Sequence, residues 1–263
     1  MSTTEITVET LLVDKADGIA LVTVNRPDVR NALNRQVLAD LHAVLADLRD
    51  DDSVGAVVFT GAGEKSFIAG ADISQVRGYT MVTGLEGAMQ CAFDEVEAFE
   101  KPTIAAVNGF ALGGGCELAM ACDIRIASST ARFGLPETNL SVLPGAGGTQ
   151  RLARLVGVGR AIEMVLTGRF LTAVDAERYG LVTSVVDPGE LLNQARATAA
   201  SILAKGPVAV RLAKLVIRAG MDTDLRTGQV IERLAQTILY STEDKAEGAN
   251  AFLEKRPAQF LGR

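Results

Sequence analysis

Short apolar runs alternate with amphipathic stretches along the first part of the chain. Two β-rich runs, at residues 6–13 and 18–25, flank the turn-like sequence DKADG and predict a hairpin. An amphipathic helix is predicted from about Asn34 to Asp50, with Asn34 as its N-cap. The apolar run GAVVFTG at residues 55–61 predicts a buried strand. Strand, helix and strand in this order indicate parallel strands joined by a crossover.

The same alternation continues to about residue 186 and then gives way to helical spacing alone. The further predicted elements are a helix at 82–100, strands at 102–111 and 122–128, a helix from about Thr149, a helix and a strand within 160–186, and late helices that include 223–240 and 243–255. We therefore expect an α/β body over residues 1–200 and a helical region over residues 201–263.

The composition is that of an ordinary globular protein. The chain has 263 residues, of which 48% are hydrophobic, and its net charge of −6 weighs against binding to nucleic acid or to anionic membranes. No run approaches the ~18 apolar residues of a membrane span, and the start has no leader-like pattern. Cys91, Cys116 and Cys122 show no paired spacing, which favours a reducing compartment. We expect a cytoplasmic protein.

Several common active-site patterns are absent from the sequence. The single histidine, His42, flanks the apolar stripe of the predicted helix at 34–50, as a partly exposed helix histidine does, so no metal centre and no Ser-His-Asp triad is predicted. Glu64 stands before Lys65 where a P-loop needs glycine. Gln150 likewise occupies the third glycine position of a dinucleotide fingerprint. We expect neither a metal nor a separate cofactor.

Two glycine-rich segments remain as candidates for a site. Gly70, between small neighbours, permits close approach of a ligand to the backbone, although a plain turn favours the same residues. The stretch Ala105–Asp123 passes from an apolar run through three consecutive glycines into a predicted helix with Glu117 in its first turn. The N–H groups at a helix start suit a negative oxygen, and a carboxylate there is a candidate acid or base.

A second glutamate, Glu137, lies 20 positions after Glu117 with the predicted strand at 122–128 between them. The two cannot share a helix face, but they can converge on one pocket from two elements. An acid and a base need carboxyls whose pKa values are pushed apart. Structural or solvated glutamates are common in a chain of this length, so spacing alone leaves both interpretations open. A helix N-terminus favours ionised Glu117 and burial favours the neutral form, and the sequence does not decide between them.

Five motifs, in order and spread over nearly the whole chain, resemble the crotonase family, also called the enoyl-CoA hydratase/isomerase superfamily. They are NRP at 25–27, FIAGADI at 67–73, AAVNGFALGGGCELAMACD at 105–123, FGLPETNLSVLPGAGGTQRL at 133–152 and AFLEKRPAQF at 251–260. Within the family the chain looks most like the short-chain enoyl-CoA hydratases. The resemblance implies a ββα spiral core with two roughly perpendicular sheets and a C-terminal trimerisation region.

The resemblance also implies roles for individual residues. Glu117 would activate water, Glu137 would transfer a proton to the α-carbon, and the backbone N–H groups of Ala71 and Gly114 would form the oxyanion hole. The other positions implied to contact acyl-CoA are Ala69, Gly70, Asp72, Ile73 and Ser74, together with Phe252 and Lys255 reaching a neighbouring subunit. The predicted helix at 82–100 would line part of the acyl pocket.

The implied function is reversible hydration of 2-trans-enoyl-CoA, a step of fatty-acid β-oxidation, by a homotrimer or a homohexamer built from two trimers. Coenzyme A would be part of the substrate. A family isomerase typically manages with one glutamate at the position of Glu137, so the presence of both favours a hydratase. The alternatives are an isomerase, another acyl-CoA lyase of the family, a non-catalytic acyl-CoA- or RNA-binding module, and a purely structural α/β protein.

Overall fold

The computed structural model describes residues 8–263, so residues 6 and 7 of the predicted first strand lie outside it. The strands are β1 (Leu11–Ala16), β2 (Ile19–Val24), β3 (Ala56–Gly61), β4 (Ser66–Ile68), β5 (Thr103–Val107), β6 (Phe110–Leu112), β7 (Ile124–Ser128), β8 (Arg132–Gly134), β9 (Leu171–Thr172) and β10 (Ser184–Val186). The helices are α1 (Arg35–Asp50), α2 (Ile73–Val76), α3 (Met81–Glu86), α4 (Ala88–Ala98), α5 (Gly114–Ala121), α6 (Gly148–Val156), α7 (Val158–Thr167), α8 (Ala173–Arg178), α9 (Leu191–Leu203), α10 (Pro207–Met221), α11 (Leu225–Tyr240) and α12 (Glu243–Glu254).

The strands form two sheets. The larger sheet has six strands in the order β1-β2-β3-β5-β7-β10, and the smaller has four in the order β4-β6-β8-β9. Three consecutive strand pairs, β3–β4, β5–β6 and β7–β8, each place the first strand in the larger sheet and the second in the smaller before the chain turns into helices. This repetition confirms the predicted α/β class and its ββα core.

The N-terminal hairpin and the first crossover are confirmed. β1 and β2 pair antiparallel around Asp17 and Gly18, whose φ angles of 52° and 77° suit a tight hairpin turn. The turn is shorter than the predicted DKADG because β1 continues through Ala16. Asn34 caps α1 by accepting the Val37 N–H at 2.9 Å. β2 and β3 then run parallel, as the strand–helix–strand order predicts.

Two predicted elements are each divided in the structure. The helix expected at 82–100 is two helices, α3 and α4, separated at Gly87, whose φ of 58° is left-handed. The strand expected at 102–111 is also two, because the chain leaves the larger sheet after Val107 and enters the smaller one at Phe110. A Cβ on Gly109, in this connection, would lie 2.3 Å from the Lys65 backbone oxygen. Close backbone contact therefore requires glycine where the chain changes sheets.

The C-terminal helices have different surroundings. Leu191, Ala195 and Ala199 of α9 are buried against the larger sheet, and this helix runs across residue 200. Helices α10 and α11 pack against each other and carry exposed apolar side chains. The division of the chain at residue 200 stays a prediction. Within residues 8–263, no helix combines the length and the apolar character that crossing a membrane requires.

Candidate active site

Two segments that follow neighbouring parallel strands lie against each other. β4 and β6 are parallel partners in the smaller sheet. After β4 the chain pairs with Leu33, whose N–H donates to the Gly70 oxygen at 2.9 Å and whose oxygen accepts the Asp72 N–H at 2.7 Å. After β6 the chain enters α5, and the Gly70 Cα lies 3.7 Å from the position of a Cβ on Gly113. The two glycine segments of the sequence therefore meet at one place.

Each of the two segments presents an N–H group that the fold itself does not use. Pairing with Leu33 engages Gly70 and Asp72, which leaves the intervening Ala71 N–H without a partner among residues 8–263. Gly114 is the first residue of α5, so its N–H has no intrahelical acceptor, and it donates to no other described residue either. Two available backbone donors thus stand on adjoining segments.

Close packing explains the glycines that begin α5. A Cβ on Gly115 would lie 2.0 Å from the Ile68 oxygen, so α5 rests directly on the backbone at the end of β4. A Cβ on Gly114 would lie 2.9 Å from both Leu33 Cδ1 and Met89 Sδ. Met89 belongs to α4, so the segment expected to line an acyl pocket does place a side chain beside Gly114.

Glu117 lies in the first turn of α5 and is 2% exposed. Its Oε1 accepts the N–H groups of Ala146 and Gly148, each at 2.8 Å. Burial raises the pKa of Glu117 above its ordinary value, against the opposing effect of these two donors and of the Arg151 charge. Burial therefore outweighs these two hydrogen bonds and the Arg151 charge, and one of the two donors, Gly148, is the first residue of α6.

Glu137 opens a short 3-10 helix, Glu137–Leu140, that follows β8. Its Oε1 is 3.0 Å from the position of a Cβ on Gly113, and its Oε2 is buried without a hydrogen-bond partner in the described chain. Burial, followed by the nearby charge of Glu117, raises the pKa of Glu137 to about 7. Glu137 therefore lies against the glycine run that leads into the helix of Glu117, and the charges of the two glutamates interact.

The remaining residues of the segment 69–74 lie beside Ala71. The Ala69 N–H donates to the Arg30 oxygen at 3.2 Å. Asp72 caps α2 by accepting from the Ser74 N–H and hydroxyl, and it forms an ion pair with Arg26 at 3.3 Å. Ile73 is 58% exposed and Ser74 is also exposed. The structure thus brings this segment to a surface at the edge of the site.

Phe252 and Lys255 lie elsewhere, at the end of α12. Both side chains are exposed, and Lys255 ends the helix in the left-handed conformation with a φ of 55°. Within residues 8–263, no hydrogen bond or ion pair links either of them to Glu117, Glu137 or the segment 69–74. A single chain does not bring them to the site, and their contact with a neighbouring subunit's ligand stays a prediction.

Three functional candidates were not identified from the sequence. Ala146 and Gly148 belong to the glycine-rich part of the motif at 133–152, but nothing in the motif indicates that their N–H groups meet Glu117. Arg151 lies in an amphipathic helix, where an arginine is expected on the solvated face, yet it is buried. The available signal was that the segment PGAGG directly precedes a predicted helix, because the first N–H groups of a helix can donate to a carboxylate.

The histidine and the three cysteines of the chain lie outside this site. His42 is exposed on α1, with Nδ1 2.8 Å from a carboxylate oxygen of Glu95. Cys91 is exposed, Cys116 and Cys122 are buried, and all are free thiols. The part of the chain that the structure describes holds no group of three or more His, Cys, Asp or Glu side chains placed to bind a metal ion.

Comparison with known proteins gives consistent matches over nearly the whole chain. The family model for enoyl-CoA hydratase/isomerase matches residues 14–263. The short-chain-enoyl-CoA hydratase of Clostridium acetobutylicum is 48% identical over 94% of this chain and 95% of its own. The crotonyl-CoA hydratase of Syntrophomonas wolfei is 47% identical over 97% of this chain and 99% of its own.

A solved structure agrees with these sequence matches. The enoyl-CoA hydratase of Bacillus anthracis superposes with a TM-score of 0.94 at 42% identity, covering 97% of this chain and 100% of that one. Sequence and fold both match over almost the full length of the proteins compared. The chain therefore belongs to the enoyl-CoA hydratase/isomerase family.

Proposed function

We propose that this protein is an enoyl-CoA hydratase that adds water reversibly to 2-trans-enoyl-CoA and gives the 3-hydroxyacyl-CoA. The observation that carries the proposal is the pair of Glu117, which is buried, and Glu137, which is half-buried with a buried Oε2 and lies against a glycine run with an available N–H. The hydratases of Clostridium acetobutylicum and Syntrophomonas wolfei support the same reaction by their similarity.

The N–H groups of Ala71 and Gly114 would stabilise the charge that develops during the reaction. Conjugation to the thioester makes the β-carbon electrophilic, and attack by water there moves negative charge onto the thioester oxygen. Both donors are fixed by backbone pairing or by a helix start, and neither is used by the fold. Removing one such donor costs on the order of 3 kcal/mol, or about 100-fold in rate.

The two glutamates would divide the proton transfers. Both N–H donors of Glu117 contact Oε1, and Oε2 accepts no hydrogen bond from the described residues, so this oxygen can hold and deprotonate water. Glu137 has an unpartnered Oε2 and a pKa raised to about 7, so about half of the molecules carry a proton on it at neutral pH and can deliver it to the α-carbon. The reverse transfers dehydrate the product. No metal and no separate cofactor takes part in this scheme.

The acyl-CoA would lie along the segment 69–74, with its thioester at Ala71 and Gly114 and its acyl chain toward α4. The exposed position of Ile73 and Ser74 supports entry of the coenzyme A portion from this side. The Met89 side chain beside Gly114 supports an acyl pocket at α4.

The decisive experiment follows the loss of conjugated absorbance when purified protein is mixed with crotonyl-CoA. The wild type should hydrate it, and Glu117→Gln should lose about 10²- to 10⁴-fold in kcat. Glu232→Gln, a change of the same kind on the exposed surface of α11, is the matched control and should retain full activity. Full activity in Glu117→Gln, or no hydration by the wild type, contradicts the proposal.

The same purified protein distinguishes a hydratase from two alternatives, an isomerase and a non-catalytic binding module. An isomerase would convert a 3-enoyl-CoA without hydrating crotonyl-CoA, and it would do so in Glu117→Gln as well. A non-catalytic acyl-CoA-binding module would bind coenzyme A esters without any turnover. Measuring binding beside both reactions therefore assigns the site to one of the three.

A homotrimer, or a homohexamer of two trimers, is the proposed assembly, in the cytoplasm. The apolar side chains exposed on the last three helices support it, since a large exposed apolar surface marks an interface. They are Leu215, Ile217 and Met221 on α10, Leu225, Leu234 and Ile238 on α11, and Phe252 and Leu253 on α12. Light scattering during gel filtration tests this, and a monomer would contradict it. Fatty-acid β-oxidation is the proposed pathway.

A further inference from the structure

The position of the Glu117 carboxylate depends on a loop from another part of the chain. Its only hydrogen bonds within the described residues are those from Ala146 and Gly148, which lie 29 and 31 positions later. These two residues belong to the turn that leads into α6. Whatever fixes this turn therefore also fixes the carboxylate.

The Arg151 guanidinium lies against that turn. Its Nη1 donates to the Ala146 oxygen at 2.9 Å. A Cβ on Gly147 would lie 2.1 Å from the same Nη1, and the φ of Gly147 is +94°, in the left-handed region. The turn thus wraps around the guanidinium. Gly147, which lies between the two residues whose N–H groups donate to Glu117, has no room for a side chain.

Carboxylates on α4 hold the guanidinium from the opposite side. Its Nε and Nη2 donate to Oε2 of Glu97 at 3.0 and 2.6 Å, and Nη2 also donates to Asp94 at 2.6 Å. The Arg151 side chain is only 10% exposed. A planar guanidinium held by two donors on one side presents its remaining donor in a fixed direction.

The Glu97 carboxylate is itself fixed by a second arginine. Arg218 of α10 donates to Oε1 of Glu97 at 2.5 Å, and it also pairs with Asp123 at 2.8 Å, just after α5. One continuous set of contacts therefore runs from α10 through Glu97 and Arg151 to the turn that holds Glu117. None of these groups is among the residues that would touch substrate.

We propose that Arg151 is a positioning residue for Glu117, which holds the Ala146–Gly148 turn so that both of its N–H groups meet Oε1. The inference rests on the proposed hydratase function, because it assigns Glu117 the task of aiming water at the β-carbon. A shift of about 1 Å in such a group can cost about 100-fold in rate. Glu137, Ala71 and Gly114 form no hydrogen bond or ion pair with Arg151 in the described chain and should keep their geometry without it.

The test compares two reactions of the same site. Hydration of crotonyl-CoA needs both glutamates, whereas exchange of the α-protons of butyryl-CoA with D₂O needs Glu137 and the two N–H donors but no water activation. Arg151→Met should lower kcat for hydration about 100-fold, with KM little changed and exchange largely kept. Arg154→Met, one turn along α6 with a half-exposed side chain, is the matched control and should alter neither reaction.

Arg151→Lys supplies the second variant. It keeps the charge, but a single ammonium cannot hold Glu97 and the Ala146 oxygen in the geometry of the guanidinium. It should also lower hydration relative to exchange, and it decides the question if Arg151→Met does not fold. Equal loss of both reactions, or loss of neither, overturns the inference. A wild type that exchanges α-protons but does not hydrate overturns the proposed function instead.

Discussion

The Gly148 N–H donates to Oε1 of Glu117 at 2.8 Å, and the same glycine leaves no space for a side chain beside that oxygen. A Cβ on Gly148 would lie 2.7 Å from Oε1 and 2.9 Å from the Pro144 Cβ. The carboxylate and the start of α6 are thus in contact both by hydrogen bonding and by packing. Small changes at Gly148 should therefore act on the proposed chemistry.

Gly148→Ala should displace the Glu117 carboxylate and lower kcat for crotonyl-CoA hydration about 100-fold, because the added methyl group occupies the space of Oε1. Steady-state kinetics with crotonyl-CoA measures the effect. Gly145→Ala is the matched control: it lies in the same turn, is exposed, and has no atom closer than 3.8 Å to the added Cβ. Equal activity of the two variants would show that the carboxylate does not need this space.

The pH dependence should report a proton shared by the two glutamates. Hydration starts from ionised Glu117 and protonated Glu137, and dehydration starts from protonated Glu117 and ionised Glu137. Each reaction therefore needs one proton on the pair of glutamates. Because the pKa of Glu137 is raised to about 7, kcat/KM should fall as the pH rises above that value. The fall should be the same in both directions, since hydration neither takes up nor releases a proton.

Profiles of kcat/KM for crotonyl-CoA and for 3-hydroxybutyryl-CoA, from about pH 6 to about pH 9, provide the measurement. A flat activity profile would contradict the proton-sharing scheme.

The raised pKa of Glu137 also means that the folded protein keeps a proton that the unfolded chain releases between the ordinary value of 4.5 and about 7. Glu137 should therefore contribute a decrease in the free energy of unfolding as the pH rises through that range.

Gly115→Ala should destabilise the fold, because its Cβ would lie 2.0 Å from the Ile68 oxygen and α5 would have to move off β4. Overpacking of this kind costs about 3 kcal/mol. Gly159→Ala, in α7, has no atom within 4 Å of the added Cβ and should instead stabilise by about 0.5 kcal/mol. Thermal unfolding of both variants beside the wild type tests the difference, and a midpoint for Gly115→Ala equal to that of the wild type would disprove the close packing.

Lys255→Gln should raise KM for crotonyl-CoA about tenfold with kcat unchanged, if the exposed end of α12 contributes a charge to coenzyme A bound on a neighbouring subunit. The anionic phosphates of coenzyme A are the groups that lose the contact. Lys245→Gln, near the other end of the same helix, is the control and should leave KM unaltered. An unchanged KM in Lys255→Gln would remove this residue from the proposed binding site.

The sequence by itself determined the elements whose patterns are local. The hairpin of β1 and β2, the Asn34 cap, the buried strand β3 and the run from glycines into α5 all follow from neighbouring residues. The motifs also identified the family, because they are long and occur in order. Local hydrogen bonding and periodicity act over a few residues, so a single chain segment contains enough information to predict them.

Only the tertiary structure decided which segments meet. The strand expected at 102–111 is divided because Gly109 approaches the Lys65 backbone, and the N–H groups that hold Glu117 come from a turn about 30 residues later. The buried position of Arg151 could not be predicted either, since its partners Asp94 and Glu97 are more than 50 positions away. Burial of Glu117 outweighed its hydrogen bonds because desolvation depends on everything packed around the carboxylate, and that packing exists only in the folded chain.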